Sequence, residues 1–238
     1  MKNTKIIILC GGRGSRLGKL TEDIPKPLVK IGMHSILENK LNYYKHQGLN
    51  NFIFCTGYKG EKIKKKVIEL GINGEFSNIG ENPGILERIF KVKNSFNGPS
   101  IISYGDTYAE IDLNDLLIKH NKSKTLMTLV VAPIENPFGL LDVDKNNRVI
   151  KFREKPILIH YIGYAVIQPE IFDKIPKSII SLPDGLGIVK TINFLSKLRQ
   201  VNAYQFGGLQ VTVNTNEELK SVNEKIGKYF TVKESYEK

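Results

Sequence analysis

An α/β fold with a mixed, mostly parallel central sheet flanked by helices is predicted by three features of this 238-residue sequence. Apolar runs alternate with segments of helical period through the first half, the order that strand–helix units impose. The first apolar run, "IIILCGG", leads straight into a glycine-rich block, which places a backbone loop at the end of a strand. Hydrophobic residues make up 41% of the chain and charged residues 25%, enough apolar material for a core in one large domain spanning 1–238.

The elements follow in order. "KIIIL" is the first strand. "SILENKLNYYKHQG" (Ser35 to Gly48) carries Ile36, Leu37, Leu41 and Tyr44 on one face, opens with a serine cap and closes at glycine, so it is a helix. "NFIFCT" is the second strand. In "KGEKIKKKV" (Lys59 to Val67) the spacing of Ile63 and Val67 predicts a helix with its lysines on the solvated face. "GILERIFKVKN" (Gly84 to Asn94) is a third helix, and "SIISYGD" (Ser100 to Asp106) is a buried strand ending in an acid.

Beyond Asp106 the pattern becomes more β-rich. "LMTLVVA" is a strand, "GLLDVDKNNRVIKFREKP" (Gly139 to Pro156) a hairpin folded at "DKNN", and "YIGYAVIQP" another strand. A proline-bounded helix near Pro169 and a helix over Gly187 to Gln200 follow. The chain then runs through "VNAYQF" and "LQVTVNT" to a last helix capped by Asn216. Without repeat or linker, the sequence divides into an α/β half over about 1–125 and a β-rich half over about 126–238.

The formal net charge of +11 admits nucleic acid, an acidic surface or an anionic small molecule as partner. Zinc-finger spacing, an RNP-like aromatic strand and an arginine-rich tail are all missing from the sequence, which argues against a nucleic-acid reader. The run Ile6 to Cys10 is too brief for a signal peptide and no stretch approaches a membrane span, so a cytoplasmic protein is expected. Cys10 and Cys55 end apolar runs and read as buried, reduced thiols. His34, His46, His120 and His160 are scattered and read as surface or boundary residues.

"LCGGRGSRLGKLTEDIPKPL" (Leu9 to Leu28) carries the chemistry. It fails as a P-loop, because Gly18-Lys19 is followed by Leu20 and Arg13 stands at the first glycine position. It fails as a dinucleotide fingerprint, because Leu17 replaces the third glycine. A bare glycine-rich turn is the plain alternative. Glycines 11, 12 and 14 let main-chain N–H groups approach a triphosphate. Arg16 supplies a planar charged fork for the β and γ phosphates, and Lys26, between Pro25 and Pro27, a point charge on a stiff segment.

This block resembles the signature of the nucleoside-diphosphate-sugar pyrophosphorylases, nucleotidyltransferases with a GT-A-like, Rossmann-like fold. The resemblance implies catalytic roles for Arg16 and Lys26, and a nucleotide site from Leu9, Gly11, Gly12, Gly14 and Gly105. "SYGDTYAEIDL" is similar to the family's strand ending in a metal-binding acid, here Asp106, which implies Mg²⁺ as cofactor. "FGLLDVDKNNRVIKFREKP" is similar to its hairpin and Glu-Lys-Pro motif, which implies an acceptor site from Gly139, Glu154, Lys155 and, on the following strand, Tyr164. Taken alone, Asp106 reads equally as a helix cap and Lys155 as a surface charge.

Together with "TGYKGEKIKKKV", these stretches resemble the cytidylyltransferase branch, which implies CTP as nucleotide and Gly57, Tyr58 and Glu81 near its base. Three departures bear on the acceptor. "ENPGILERI" stands in place of a Thr-Gly-Gly turn, "HYIGYAV" in place of an Asn-Gly-Gly segment, and neutral Thr212 and Asn214 where a second metal-binding aspartate is usual. The resemblance and these departures imply CMP transfer to phosphorylated L-glutamine for capsule modification, with glucose-1-phosphate as the alternative acceptor. A nucleotide-binding module without turnover and a glycosyltransferase are the rival classes, and a homo-oligomer is compatible with the sequence.

Overall fold

The computed structural model describes residues 4–224, and its first strand, β1 (Ile6–Cys10), is buried along nearly its whole length. A short helix, α1 (Leu20–Asp23), and a pair of two-residue strands, β2 (Lys30–Ile31) and β3 (His34–Ser35), lead to helix α2 (Ile36–His46). The serine cap is a full capping box: Ser35 Oγ accepts from the Glu38 amide and Glu38 Oε2 accepts from the Ser35 amide. Strand β4 (Phe52–Thr56), helix α3 (Gly60–Glu69), strand β5 (Gly74–Asn78), helix α4 (Ile85–Lys91) and strand β6 (Ser100–Tyr104) follow.

The rest of the chain adds β7 (Thr107–Ala109), α5 (Leu113–Ser123), β8 (Met127–Glu135), the hairpin β9 (Leu140–Val143) and β10 (Val149–Arg153), and β11 (Ile157–Ile167). Helices α6 (Ile171–Lys174) and α7 (Leu186–Lys197) and strands β12 (Val201–Gln205) and β13 (Gln210–Thr212) complete the assigned elements.

Seven strands form one sheet in the order β12-β8-β11-β6-β1-β4-β5. Every pairing is parallel except those of β11, which runs antiparallel to both β6 and β8. The predicted mixed, mostly parallel sheet is therefore present. Alternation along β1 divides the core: Ile6 and Ile8 pack with Leu37, Leu41 and Tyr44 of α2, whereas Ile7 packs with Leu86 and Ile89 of α4 and Leu195 of α7. Helices on both faces explain why the central strands are apolar at nearly every position.

The chain steps from β1 to β4 on one side and later returns to place β6 on the other. Between β1 and β6 lies the topological switch point, and the loops beyond their carboxyl ends open a crevice there. On the neighbouring antiparallel strand, a register irregularity between Tyr161 and Ala165 contains Gly163 at φ 82°. A Cβ on Gly163 would stand 3.1 Å from the Tyr104 ring, so the strand reaches the crevice through a close approach that glycine permits.

Several readings need correction. Strand β5 was not anticipated, because it is a largely exposed edge strand with the polar sequence "GEFSN". The "YIGYAVIQP" strand begins earlier, at Ile157. The last helix, over 216–224 within the described residues, is capped by Thr215, whose Oγ1 accepts from the Glu218 amide, rather than by Asn216. His120 is fully buried, with Nδ1 2.8 Å from Thr128 Oγ1 and Nε2 3.1 Å from the Gln168 amide nitrogen. Both cysteines are free and buried, and burial pushes the Cys55 thiol up to about 12. Among the described residues, no helix is long and apolar enough to cross a membrane.

Candidate active site

A cavity of about 840 Å³ occupies the crevice, and the glycine-rich loop forms one wall. Leu9 and Cys10 close β1, then Gly11, Gly12, Gly14 and Arg16 line the opening. Gly14 sits at φ 66°, and a Cβ there would lie 2.9 Å from Lys26 Cβ. This glycine is required twice over, for its left-handed backbone and for the space that Lys26 occupies. Gly12 lines the cavity and has open space where its Cβ would be, so no side-chain restriction explains this glycine.

Lys26 opens a single 3-10 turn, Lys26–Leu28, with Pro25 as the cap and Pro27 inside it. The prolines fix the backbone while the lysine side chain runs inward, leaving the residue 6% exposed. Its Nζ lies 2.5 Å from Asp106 Oδ2 and donates to Asn214 Oδ1 at 3.1 Å. Asp106 follows β6 in a turn whose Gly105 amide donates to the Leu9 carbonyl at 3.0 Å. A Cβ on Gly105 would collide with that carbonyl at 2.7 Å, so Gly105 locks the ends of β1 and β6 together rather than lining the cavity.

Strand β13 pairs antiparallel with β7, setting Thr212 opposite Thr107 and carrying Asn214 up to Lys26. The two neutral residues flagged in "LQVTVNT" therefore stand beside Asp106, and both line the cavity. Among the described residues, no group of three His, Cys, Asp or Glu side chains could hold a metal ion. A single carboxylate with a neighbouring amide oxygen fits Mg²⁺, which keeps several waters and shares its shell with substrate phosphates. Asp106 would hold the ion.

Arg88 is a cavity residue that sequence reasoning missed. It is 5% exposed, on α4, and its guanidinium donates to the carbonyls of Thr56 at 2.7 Å, Gly80 at 2.8 Å and Glu81 at 3.1 Å. A Cβ on Gly11 would lie 2.4 Å from its Cζ, so the guanidinium backs directly onto the glycine loop. Burial lowers its pKa from the ordinary arginine value, yet arginine stays charged. The available signal was its position: Arg88 stands beside Ile89 on the face of "ILERIF" that turns inward.

The nucleotide residues expected from resemblance divide between wall and support. Glu81 lines the cavity, and its Oε2 accepts from Arg13 Nε at 2.7 Å. Gly57 and Tyr58 stand behind the glycine loop: Gly57 packs against the Gly11 and Gly80 carbonyls, and the Tyr58 hydroxyl donates to the Thr21 carbonyl at 2.8 Å.

The acceptor residues also separate. Tyr164 is fully buried, its hydroxyl donates to the Thr107 carbonyl at 3.1 Å, and it packs in the core rather than on the cavity wall. Alternation along β11 turns it away, and Tyr161 lines the cavity instead, its ring edge-on to Tyr104. Gly139, Glu154 and Lys155 lie together at the base of the β9–β10 hairpin, exposed and off the cavity wall, with Lys155 at φ 40°. His160, Gly163 and Asp184 are further cavity residues that were not singled out.

A family model described as "Nucleotidyl transferase" matches residues 5–179, a span that contains the glycine loop, Lys26, Arg88 and Asp106. The chain belongs to the nucleotidyl transferase family. This nucleotidyl transferase is 30% identical, over 92% of its length and 94% of the relative's, to a Bacillus subtilis (strain 168) protein named "Probable glucose-1-phosphate cytidylyltransferase". It is 37% identical to the D-glycero-alpha-D-manno-heptose 1-phosphate guanylyltransferase of Campylobacter jejuni, over 63% of its own length and 67% of that protein's. Among solved structures, HddC from Yersinia pseudotuberculosis complexed with GMP-PN superposes with a TM-score of 0.71 at 23% identity, covering 94% of this chain and 99% of that one, which establishes the shared fold.

Proposed function

We propose that this nucleotidyl transferase moves CMP from CTP to a phosphorylated small acceptor and releases pyrophosphate. The observation that carries the reading is the Lys26–Asp106–Asn214 cluster, which sets a buried cation and a carboxylate in the same cavity as an open glycine loop. In this reading the triphosphate lies over residues 11–16. An oxygen of the acceptor phosphate forms a bond to the α-phosphorus while the bond to the pyrophosphate oxygen breaks. The acceptor oxygen is already ionised at neutral pH, so no protein base is needed.

Lys26 stabilises charge on the α-phosphoryl group, and Arg16, exposed on the cavity rim, receives the departing pyrophosphate. Asp106 would hold Mg²⁺, whose charge would offset that of the phosphates. Every other contribution is positioning and fixed electrostatics. The chain-long similarity to a relative named for cytidylyl transfer supports CTP over the guanylyl match, which spans less of the chain.

For the acceptor, we propose phosphorylated L-glutamine, giving CDP-L-glutamine. Support comes from the cavity's Tyr161, His160 and Gly163, which occupy the place where a sugar-binding Asn-Gly-Gly segment is expected. Glucose-1-phosphate is the second reading, favoured by the name of the Bacillus subtilis relative. Pyrophosphate release with CTP and Mg²⁺ decides between them in one assay. Release with L-glutamine phosphate and none with glucose-1-phosphate is expected; the reverse overturns the acceptor while leaving cytidylyl transfer in place.

A further inference from the structure

We infer that Lys40 is a positioning residue that holds Asp106 in place from the α2 face of the sheet. Lys40 lies on α2 and is 1% exposed. Its Nζ donates to Ser103 Oγ at 2.5 Å and to the Tyr104 carbonyl at 2.6 Å, and it stands 4.6 Å from the centre of the Tyr164 ring. The ammonium thus meets a hydroxyl, a carbonyl and an aromatic face. Among the described residues, no acid forms an ion pair with it.

Stability does not call for a cation here. Lys40 stands on α2 among the buried Leu37, Leu41 and Tyr44, where an unbranched apolar side chain would fill the same space. Taking an ammonium out of water without a counter-charge is costly, and apolar replacements of buried charges are often neutral or stabilising. What the charge adds is a strong, charge-assisted grip on one point of the backbone.

That point is the end of β6, two residues before Asp106. The next amide, of Gly105, donates to the Leu9 carbonyl at 3.0 Å. Tyr164, whose ring covers the ammonium, donates its hydroxyl to the Thr107 carbonyl at 3.1 Å. The Tyr44 hydroxyl, 2.9 Å from Ser103 Oγ, completes the cluster. Backbone on both sides of Asp106 is therefore tied to one buried group of side chains, while the carboxylate meets Lys26. A misplacement of about 1 Å at a reacting centre is enough to cost about 10²-fold in rate. Lys40 thus acts through Asp106, whose place at the reacting centre rests on the proposed cytidylyl transfer.

The test compares Lys40→Met with the wild type by hydrogen–deuterium exchange and by pyrophosphate release from CTP, with L-glutamine phosphate and with glucose-1-phosphate. Exchange is expected to quicken at residues 104–107 and to stay unchanged in β4 and α3, which a general loss of stability would also speed. The value of kcat is expected to fall about tenfold or more, with the KM for CTP near that of the wild type. Ser103→Ala, which leaves the Tyr104 contact, is expected to give smaller changes of both kinds, and it decides the matter if Lys40→Met fails to fold. Unchanged exchange at 104–107 overturns the inference. So does equal quickening in all three segments, or a wild-type kcat beside quickened exchange. A wild type that releases no pyrophosphate with either acceptor overturns the proposed reaction instead, and the exchange comparison alone then decides whether Lys40 holds the turn.

Discussion

Lys26 Nζ lies 2.5 Å from Asp106 Oδ2, and this contact ties the proline-bounded turn to the end of β6 across 80 residues of chain. The lysine is nearly buried, while Asp106 keeps about a quarter of its side chain exposed toward the cavity. Each charge compensates the other, so the cavity wall carries a cation that is not left unpaired, which in a buried position would be costly.

Arg16→Ala should reduce turnover about 10²-fold or more, since it removes a charge aimed at the leaving group. Arg16 is exposed, so the melting temperature should stay at the wild-type value. Steady-state pyrophosphate release and a thermal melt on the same preparation check both parts.

Gly14→Ala should impair activity through Lys26. The new Cβ would lie 2.9 Å from Lys26 Cβ, at a φ of 66° that alanine adopts only with strain of about 1 kcal/mol. Gly12→Ala meets open space and should have the smaller effect on turnover. Equal losses in the two variants would show that the loop, rather than the lysine, is what Gly14 protects.

Tyr164→Phe should leave the KM for the acceptor unchanged and cost about 1 kcal/mol of stability, the worth of one hydrogen bond to the Thr107 carbonyl. Tyr161→Ala should raise that KM, because Tyr161 is the tyrosine on the cavity wall. Kinetics of both variants against acceptor concentration make the comparison.

Much of this was legible from the residues. The alternation of apolar runs and helical periods led to the mixed, mostly parallel sheet, and the block from Leu9 to Leu28 led to the cavity wall. What escaped has physical reasons. Edge strand β5 is polar and half-exposed, so it lacks the apolar run that marks its neighbours. Arg88 acts through three carbonyls, and hydrogen bonds to backbone leave no pattern in a sequence. The resemblance implied Tyr164 for the acceptor, but alternation along β11 turns Tyr164 into the core and Tyr161 to the cavity, and which face of a strand borders a cavity is not written in its sequence.

His120 makes the fold acid-sensitive. Burial lowers its pKa from 6.5 to about 4. Between those values the unfolded chain binds a proton that the folded chain refuses, so stability falls as pH drops through this window and is unaffected by His120 above it. The loss should be on the order of 2–3 kcal/mol by the lower end. Urea midpoints at neutral pH and at about pH 5 should differ in the wild type and converge in His120→Gln.

Lys26→Met tests the central claim most directly, with CTP binding measured by calorimetry and pyrophosphate release measured on the same protein. The account predicts that binding stays within about tenfold of wild type, while release falls about 10²-fold or more, because the charge serves the transition state rather than the bound nucleotide. Wild-type release by a folded Lys26→Met enzyme would contradict it.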